Sequence, residues 1–485
     1  MRRVALLGLI LVLATACTAC CGLHSRPSIT VAHLATASAG PGSADRLRAM
    51  PGADASAAVE RTQPGTGAAI DKWALWTEGT RLRGANIHQR RVYPELDGPT
   101  FYGPGPVGPP HTQQDFDDLA ALGANYVNIS HPGLFTETPP YTLDADIQDN
   151  LDRLLALIGQ ADMFAVISYR TGPGRSEFTF VLDEVGDWFD ESYLNDSVWK
   201  DQAAQDGWVA MWRYTAERYR SNPIVVGYDL MVEPNANEVS LEVWDPEEFY
   251  STYADTLYDW NQLFPRITAA IREVDTSTPV LTGGMAYSAL GWLPYIQPSA
   301  DERTVYMVHQ YAPHRYTHQQ ADELAFTYPG VFDTDWDGTD DLFNRAWLEN
   351  LLSTVDTFMA AHDVPVSVNE FGVVRWVPGA AAFMDDQMDL FEQHGMNHAL
   401  WVWDPAWEPF AEEGHDAFNF RFGPDPGNHV DVPSSELLSV ISGYWGRNTI
   451  RPSSILHPTP TPTTGDIHRI DLPLILRVEA GHWHR

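Results

Sequence analysis

One stretch of the sequence decides the fold class: Gly227-Tyr-Asp-Leu-Met-Val-Glu233-Pro234-Asn235. Its first part is mostly apolar, as in a buried strand, and it ends in a carboxylate that is followed at once by a proline. An isolated carboxylate at the end of a buried strand is costly unless it is hydrogen-bonded or used in chemistry. We therefore expect Glu233 to lie at a functional edge of a sheet.

A second stretch, later in the chain, has the same form. It runs Val364-Pro-Val-Ser-Val-Asn369-Glu370-Phe371-Gly372, so a second apolar strand also ends in a carboxylate. In a parallel barrel the carboxyl ends of all strands meet at one face, where active sites lie. We therefore predict that Glu233 and Glu370, on the fourth and seventh strands, face each other across the open end of a barrel.

Short apolar runs alternate with amphipathic helical patterns along most of the chain. The runs predict strands at residues 82–87, 126–129, 164–169, 225–231, 280–282, 305–308, 366–368 and 399–403. The helical patterns lie at residues 113–122, 147–160, 209–219, 249–274, 345–362 and 380–394. This alternation favours an α/β fold of the (β/α)8 TIM-barrel type. An open doubly wound sheet is the alternative, and the lack of a glycine-rich phosphate loop after the first strand disfavours it.

Composition and charge limit the partners of the chain. Hydrophobic residues make up 44% of the sequence, which excludes wholesale disorder. The formal net charge of −35 disfavours nucleic acid and anionic membrane surfaces as partners but is compatible with a neutral substrate. The same charge also serves solubility alone, and the sequence does not separate these two interpretations. All three cysteines lie within the first 21 residues, so we expect no disulfide framework in the folded domain.

The two ends of the chain are predicted to lie outside the catalytic domain, which we place at residues 71–450. Residues 1–21 combine a positive start, an apolar run and small residues, as bacterial export signals do. The residues before Cys17 and Cys20 loosely resemble a lipoprotein cleavage site, so a lipid-anchored cell-surface form and a freely secreted form both stay open. Residues 22–70 predict a disordered tether, and residues 451–485 a Pro/Thr linker with a short tail. We expect a monomer.

Further motifs fall on the predicted strands in a fixed order. They are Arg83-Gly-Ala-Asn86 on the first strand, His309-Gln-Tyr311 at the end of the sixth, Tyr316-Thr-His318-Gln319 after it, and Trp401 at the eighth. Together with the two strand-end glutamates, this set resembles glycoside hydrolase family 5, the cellulase family. The resemblance spans roughly residues 82–407. It implies a TIM-barrel glycosidase in which Glu233 is the acid/base and Glu370 is the nucleophile.

The family chemistry explains why two carboxyl groups are needed. Retaining glycosidases hold them roughly 5 Å apart, so that one protonates the leaving oxygen while the other attacks the anomeric carbon. The resemblance further implies that Tyr311 bonds Glu370, that His309 contacts the substrate or a carboxylate, and that Trp401 stacks on a sugar. The alternative for His309 and Tyr311 is that both are only hydrogen-bonded groups at a strand end. Other candidate substrate-binding residues near strand ends are His88, His131 and Trp403.

Two positions depart from the family pattern. The family has asparagine before the acid/base, where this chain has Val232, and arginine near the end of strand two, where this chain has Asn128. We take Asn128 and Asn235 as candidate substrate contacts. We take Arg170 as the group that supplies the missing positive charge. The alternative for Arg170 is an ion pair with a structural carboxylate.

An acidic loop is a candidate metal site. Asp333, Asp335 and Asp337 alternate along the chain and precede a glycine, which resembles a calcium-binding loop because Ca²⁺ prefers several oxygen ligands around a tight turn. The glutamate that completes an EF-hand is missing, and Asn344 stands there instead. The alternative is a solvated acidic turn. We expect no required cofactor, and a structural Ca²⁺ stays open.

The sequence thus predicts a secreted retaining β-glycoside hydrolase that acts on a neutral β-linked glucan or mannan, as polysaccharide or oligosaccharide. The alternative is a catalytically impaired, carbohydrate-binding pseudoenzyme on the same fold, in which the two departures mark lost catalysis. Retention of both carboxylates favours the enzyme, because a protein that only binds sugar needs neither.

Overall fold

A computed structural model describes residues 71–98, 100–411 and 416–456. The predicted export signal and tether, and most of the predicted Pro/Thr linker, lie outside these residues. Within them, the chain folds into strands and helices in close alternation. No described helix combines the length and the apolar character that crossing a bilayer requires.

Eight parallel strands close into a barrel. They are β1 (Arg83–His88), β2 (Tyr126–Pro132), β3 (Phe164–Thr171), β4 (Val225–Asp229), β5 (Val280–Gly283), β6 (Thr304–Gln310), β7 (Val366–Phe371) and β8 (His398–Leu400). Each strand pairs with its predecessor, and β8 pairs with β1 through the register Arg83↔His398. The predicted TIM barrel is confirmed, and the open doubly wound sheet is excluded because the sheet has no edge strand.

The longer helices cover the outside of the barrel. They are α1 (Gln113–Ala121), α2 (Ala145–Gln160), α3 (Gln202–Tyr219), α4 (Trp260–Arg272), α5 (Arg345–His362), α6 (Ala380–Gln393) and α7 (Glu436–Trp445). Several begin at a side chain that accepts hydrogen bonds from the first turn, as Asp144 does for α2, Asp201 for α3 and Asn344 for α5. Such caps satisfy backbone donors that have no partner inside the helix.

Shorter elements fill the connections. Short α-helices lie at Ala74–Thr77, Pro94–Asp97, Ala236–Val239, Pro246–Tyr253, His314–Thr317, Glu408–Ala411 and Pro452–Leu456. Single 3₁₀ turns lie at Glu177–Phe180, Leu182–Glu184, Glu191–Tyr193, Ser197–Trp199, Leu290–Tyr295 and Phe420–Phe422. Two antiparallel hairpins pair Arg90–Arg91 with Val107–Gly108 and Gly330–Phe332 with Asp341–Phe343.

The helix predicted at residues 209–219 begins earlier, at Gln202, and another predicted helix is wrong because it is divided in two. Residues 249–274 form two helices, Pro246–Tyr253 and α4, rather than one. Asp255 lies between them with a φ of 63°, a conformation that a helix does not allow. Asp259 then caps α4 by accepting from the backbone N–H of Asn261, so a new helix begins there.

The barrel is closed at its amino-terminal end and carries its polar groups at the other. Leu82, Phe164 and Leu281 belong to a buried apolar cluster inside the barrel. Trp76, from the helix that precedes β1, belongs to the same cluster and donates from Nε1 to the carbonyl of Val226 at 2.9 Å. Because this ring seals the amino-terminal end, the carboxyl-terminal end is left for a site.

Candidate active site

The structure brings Glu233 and Glu370 together. Glu370 lies within β7, where its register partner is His309 of β6, and Glu233 follows the end of β4 by four residues. One oxygen of each carboxylate and one ring nitrogen of His309 all lie within 4.8 Å of one another. Two acidic groups from distant parts of the chain therefore face each other at one point of the carboxyl-terminal face.

His309 connects the two carboxylates. Its Nδ1 donates to Glu233 Oε1 at 2.9 Å and lies 3.7 Å from Glu370 Oε2. Burial on its own lowers the pKa of His309, but the charges of Glu370 and Glu233 outweigh burial and raise it to about 9. At neutral pH His309 is therefore a buried cation between two acids.

Glu370 is held by a second side chain. Tyr311 donates its hydroxyl to Glu370 Oε1 at 2.8 Å, which leaves Oε2 on the side of His309. Burial raises the pKa of Glu370 to about 7, although His309, Tyr311 and Arg170 each lower it and Glu233 adds to the increase. The site therefore contains a carboxyl group that titrates near neutrality beside a histidinium, a pairing typical of acid–base chemistry.

Arg170 forms the ion pair that was the alternative role considered for it. Its Nε donates to Glu177 Oε1 at 2.8 Å, so it forms an ion pair with a buried carboxylate. Its charge also lowers the pKa of Glu370. His88 lies on the other side of Glu177, with Nε2 at 3.7 Å from the same oxygen. A buried cluster of Glu177 with one arginine and one histidine thus borders the two catalytic candidates.

The two predicted tryptophans differ in exposure. Trp401 is partly exposed beyond β8, and its ring lies 5.8 Å from that of His88. Trp403 is only 1% exposed and donates from Nε1 to the carbonyl of Asp115 at 2.9 Å. The guanidinium of Arg421 covers its ring at 4.2 Å. We therefore correct the expectation that Trp403 binds substrate, because its ring packs in the core and has almost no surface for a sugar.

His131 is also a core residue rather than a sugar contact. It has no exposed surface, its Nδ1 donates to the carbonyl of Pro132 at 2.7 Å, and its Nε2 accepts from Asn150 at 3.1 Å. Burial lowers the pKa of His131 to about 3, so the ring is neutral. Both ring nitrogens are occupied by protein groups, which corrects the expectation that His131 binds substrate.

The amide of Asn128 is engaged inside the barrel. It donates to Asn86 Oδ1 at 2.7 Å and accepts from Ser168 Oγ at 2.6 Å, which ties β2 to β1 and β3. Asn86 in turn donates to the carbonyl of Asn369 at 2.9 Å. The residue that replaces the family's arginine thus belongs to a buried network below the carboxylates.

The amide of Asn235 is engaged as well. It accepts from Arg175 Nη2 at 2.9 Å and donates to the carbonyl of Thr179 at 2.9 Å. A direct contact between Asn235 and a sugar would require it to give up one of these hydrogen bonds.

Two buried residues of the site were not predicted from the sequence. Asp229 in β4 accepts from Nδ2 of Asn369 at 3.2 Å, and Asn369 directly precedes Glu370, so this bond links the two strands that carry the carboxylates. Burial raises the pKa of Asp229 to about 6. An aspartate within an apolar run was an available signal. The sequence contained no comparable signal for Arg175, which donates to the carbonyl of Glu233. Arg175 follows a short loop of glycine and proline, and such a loop does not indicate which distant groups its arginine contacts.

The acidic loop brings its three carboxylates together. One oxygen each of Asp333, Asp335 and Asp337 lie within 4.8 Å of one another, in the turn between the two strands of the second hairpin. Arg315 Nη1 lies 3.3 Å from Asp333 Oδ2, and the backbone N–H of Gly338 donates to the same oxygen at 3.3 Å. Calcium binding by this loop stays a prediction.

Comparison with known proteins gives relatives with low identity and broad coverage. Endoglucanase C of Acetivibrio thermocellus is 20% identical over 318 residues, which cover 60% of this chain and 83% of that protein. Cellodextrinase A of Ruminococcus flavefaciens is 21% identical over 287 residues, which cover 59% and 76% of the two chains. This chain therefore matches both of these relatives over most of their own length.

Solved structures share the fold. Thermotoga maritima Cel5A in complex with cellobiose aligns with a TM-score of 0.52 at 16% identity, covering 76% of this chain and 100% of that one. The same enzyme in complex with mannotriose gives a TM-score of 0.51 at 16% identity, covering 74% and 97% of the two chains. At this identity the likeness establishes the barrel and nothing finer.

The family assignment rests on a longer match. The family model described as cellulase (glycosyl hydrolase family 5) matches residues 78–406, which is more than half of the chain and includes every barrel strand. The prediction that the chain resembles this family is confirmed, and so is the prediction that it is a glycosidase. The chain belongs to glycosyl hydrolase family 5, the cellulase family.

Proposed function

We propose that this protein is a retaining β-glycoside hydrolase that works by double displacement, with Glu233 as acid/base and Glu370 as nucleophile. The observation that carries the proposal is that one oxygen of Glu233 lies within 4.8 Å of one oxygen of Glu370. Retaining pairs lie roughly 5–5.5 Å apart, whereas inverting pairs lie roughly 6.5–9.5 Å apart to hold a water between them. The short separation supports attack by the enzyme itself.

In the first step Glu370 attacks the anomeric carbon as the glycosidic bond breaks. Tyr311 occupies Oε1 of Glu370, so Oε2 is the oxygen left to form the bond to carbon. The proton of Glu233 passes to the leaving oxygen, and the first sugar fragment departs. In the second step water attacks the same carbon, Glu233 accepts its proton, and the bond to Glu370 breaks.

His309 supports the first step through its position. Its Nδ1 donates to Oε1 of Glu233, which leaves Oε2 of that group to carry the transferred proton. When Glu233 gives up the proton it becomes an anion, and the adjacent histidinium stabilises that charge. His309 thus favours the direction of proton transfer that bond cleavage requires.

We infer that the substrate is a neutral β-linked glucan or mannan. The partly exposed ring of Trp401 supports a stacked sugar, since aromatic faces pack on apolar C–H surfaces. In the family, an asparagine at the position of Val232 contacts the 2-hydroxyl of the sugar. Because valine cannot form that hydrogen bond, we expect this chain to discriminate weakly between glucose and mannose, which differ at carbon 2. Solved complexes of Cel5A with cellobiose and with mannotriose are consistent with a site of this kind.

We also propose export of a monomeric enzyme, either freely secreted or lipid-anchored at the cell surface. The support is the sequence of residues 1–21, with its positive start, apolar run and following cysteines. Cell fractionation separates the two forms. If the protein is anchored, replacing both Cys17 and Cys20 with alanine moves it from the membrane fraction to the medium, and if it is free the same change has no effect.

The stereochemistry of the product tests the proposed function. We expect ¹H NMR to show the β-anomer first when the protein hydrolyses an aryl β-cellobioside or an aryl β-mannobioside. A variant with Glu370→Ala, purified in parallel, is the control for contaminating glycosidases. First appearance of the α-anomer would contradict the retaining mechanism, and absence of turnover on every β-glycoside would instead support the carbohydrate-binding pseudoenzyme.

A further inference from the structure

The backbone of the acid/base candidate departs from regular structure. β4 ends at Asp229, and Glu233 has a φ of 54°, in the left-handed region that residues other than glycine rarely adopt. Beyond β4 the backbone keeps one hydrogen bond to β3, from the N–H of Val232 to the carbonyl of Tyr169 at 2.9 Å, but Glu233 itself lies outside the strand. Such a conformation persists only where the surroundings determine it.

Arg175 provides those surroundings. Its Nη1 donates to the carbonyl of Val232 at 2.6 Å, and its Nη2 donates to the carbonyl of Glu233 at 2.5 Å. The same two nitrogens also donate to the carbonyl of Arg170 at 3.1 Å and to Oδ1 of Asn235 at 2.9 Å. All four acceptors are thus held by one guanidinium group.

The geometry of these bonds is specific. The carbonyls of Val232 and Glu233 belong to the two peptide planes on either side of the Glu233 Cα, so fixing both planes fixes the direction in which that side chain leaves the backbone. The planar guanidinium presents its donors in a rigid fork, which suits two successive carbonyls. A lysine ammonium is a point charge and does not reproduce this arrangement.

The burial of Arg175 argues against a general packing role. The residue has no exposed surface, and among the described residues it forms no ion pair with a carboxylate. Its Nε has no hydrogen-bond partner there either, so its hydrogen bonds are those of Nη1 and Nη2. Burying a charge in this way is costly unless its hydrogen bonds are satisfied by well-placed acceptors. The guanidinium carbon also lies 4.4 Å from the ring centre of Phe180, which covers it on one face.

We propose that Arg175 is a positioning residue for the acid/base, which directs Glu233 toward the leaving oxygen by holding both of its flanking carbonyls. This proposal rests on the proposed function, because it requires Glu233 to be the proton donor. Arg175 acts only through Glu233 and does not contact the reacting atoms.

Dependence on the leaving group tests the proposal. We would measure kcat/KM of Arg175→Lys for aryl β-glycosides whose phenols differ in acidity. We expect a roughly 10- to 100-fold loss for poor leaving groups such as phenol, and little loss for 2,4-dinitrophenol, which departs without a proton. An equal loss for all leaving groups, or no loss for any, would overturn the proposal.

Two matched variants keep this result interpretable. Arg375 is also buried and also donates to backbone carbonyls, those of Asp416 and Gly423, but unlike Arg175 it pairs with a carboxylate, that of Asp416 at 2.7 Å. We expect Arg375→Lys to lower thermal stability without a selective loss for poor leaving groups. If Arg175→Lys fails to fold, Asn235→Ala, which removes one of the four acceptors, should show a smaller loss of the same selectivity. A loss in Asn235→Ala that is equal for all leaving groups would then overturn the proposal.

The same set of substrates separates failure of this inference from failure of the proposed function. Glu233→Gln must itself lose activity most for poor leaving groups. If Glu233→Gln loses activity equally for all phenols, the assignment of Glu233 as acid is wrong. If Glu233→Gln shows the selective loss and Arg175→Lys does not, the acid assignment stands and only the role of Arg175 is wrong.

Discussion

The two catalytic candidates are held in different ways. Glu370 lies inside β7, where its backbone pairs with His309 of β6 just after an irregularity in the ladder. Glu233 lies four residues beyond β4 and has a left-handed backbone conformation. The carbonyls of Val232 and Glu233, on either side of its Cα, accept hydrogen bonds from the side chain of Arg175. At the side chains, Tyr311 bonds Glu370 and His309 bonds Glu233. The backbone of the proposed nucleophile is held by the sheet, whereas the backbone of the proposed acid is held largely by one buried arginine. Substitutions of other residues should therefore disturb the second more readily than the first.

Removing each carboxylate in turn gives the largest effects. We expect Glu370→Gly to lose turnover by roughly four to six orders of magnitude, as other covalent enzymes do without their nucleophile. Glu233→Gly should lose roughly 10²- to 10⁴-fold on substrates with poor leaving groups, the usual contribution of a general acid.

Added azide assigns the two roles. In Glu370→Gly it should restore part of the turnover and yield an α-glycosyl azide, since azide attacks from the vacated nucleophile side. In Glu233→Gly it should yield a β-glycosyl azide, since azide replaces the water of the second step. The configuration is read by NMR, and the same anomer from both variants would refute the assignment.

The side chains around Glu370 should set the acid limb of the pH profile. Burial raises the pKa of Glu370 to about 7, and His309 and Tyr311 lower it. Removing either lowering influence raises this pKa, so more base is needed to ionise the nucleophile and the acid limb of kcat/KM moves to higher pH. We expect a shift of about one pH unit for Tyr311→Phe, the value of one hydrogen bond to a charged group, and a larger shift for His309→Asn.

A neighbouring tyrosine provides the control for this shift. Tyr316 is also buried, but its hydroxyl donates to the carbonyl of Pro378 at 3.0 Å. Tyr316→Phe should therefore leave the acid limb where it is. A shift in Tyr316→Phe as large as in Tyr311→Phe would mean that the acid limb depends on the general packing around the site and not on the hydrogen bond to Glu370.

The barrel and the two carboxylates follow from local patterns in the sequence. An apolar run that ends in an acidic residue indicates both a buried strand and a polar group at its end, and these features depend only on neighbouring residues. The pairing of Tyr311 with Glu370 came from the family resemblance and not from these local patterns, and the structure contains that hydrogen bond. The local reasoning was wrong for the single helix over residues 249–274, because the capping role of Asp259 competes with the helical period.

The remaining parts of the site depend on contacts between distant residues. Trp403 lies beyond β8 as Trp401 does, yet its indole donates to Asp115. His131 lies near the end of β2 as His88 lies at the end of β1, yet His131 bonds Asn150. A strand-end position does not specify which face a side chain takes once the strand has ended. Arg175 was missed for the same reason, since its acceptors on Val232 and Glu233 lie 57 and 58 residues along the chain.

Arg170 should have a smaller effect than Tyr311. Its charge lowers the pKa of Glu370, but its nearest partner is Glu177, which already neutralises much of that charge. We expect Arg170→Ala to move the acid limb in the same direction as Tyr311→Phe but by less, with about a tenfold loss of kcat/KM. Arg170→Lys keeps the charge and should move the limb less still. Unchanged turnover in Arg170→Ala would show that Arg170 serves only the ion pair with Glu177.

The smallest expected effect concerns the acidic loop, which contacts neither carboxylate. Asp333, Asp335 and Asp337 converge to within 4.8 Å, and their mutual repulsion is offset on one side only, by Arg315. If Ca²⁺ binds there, a concentration of 100 times its Kd stabilises the fold by about 2.7 kcal/mol, a rise in Tm of a few degrees. Asp335→Asn combined with Asp337→Asn should abolish the rise, which differential scanning calorimetry measures. The loop does not hold Glu233 or Glu370. Ca²⁺ should therefore leave the acid limb of kcat/KM and the dependence of kcat/KM on the leaving group unchanged. An effect of Ca²⁺ on either quantity would show that this loop also helps to position the carboxylates.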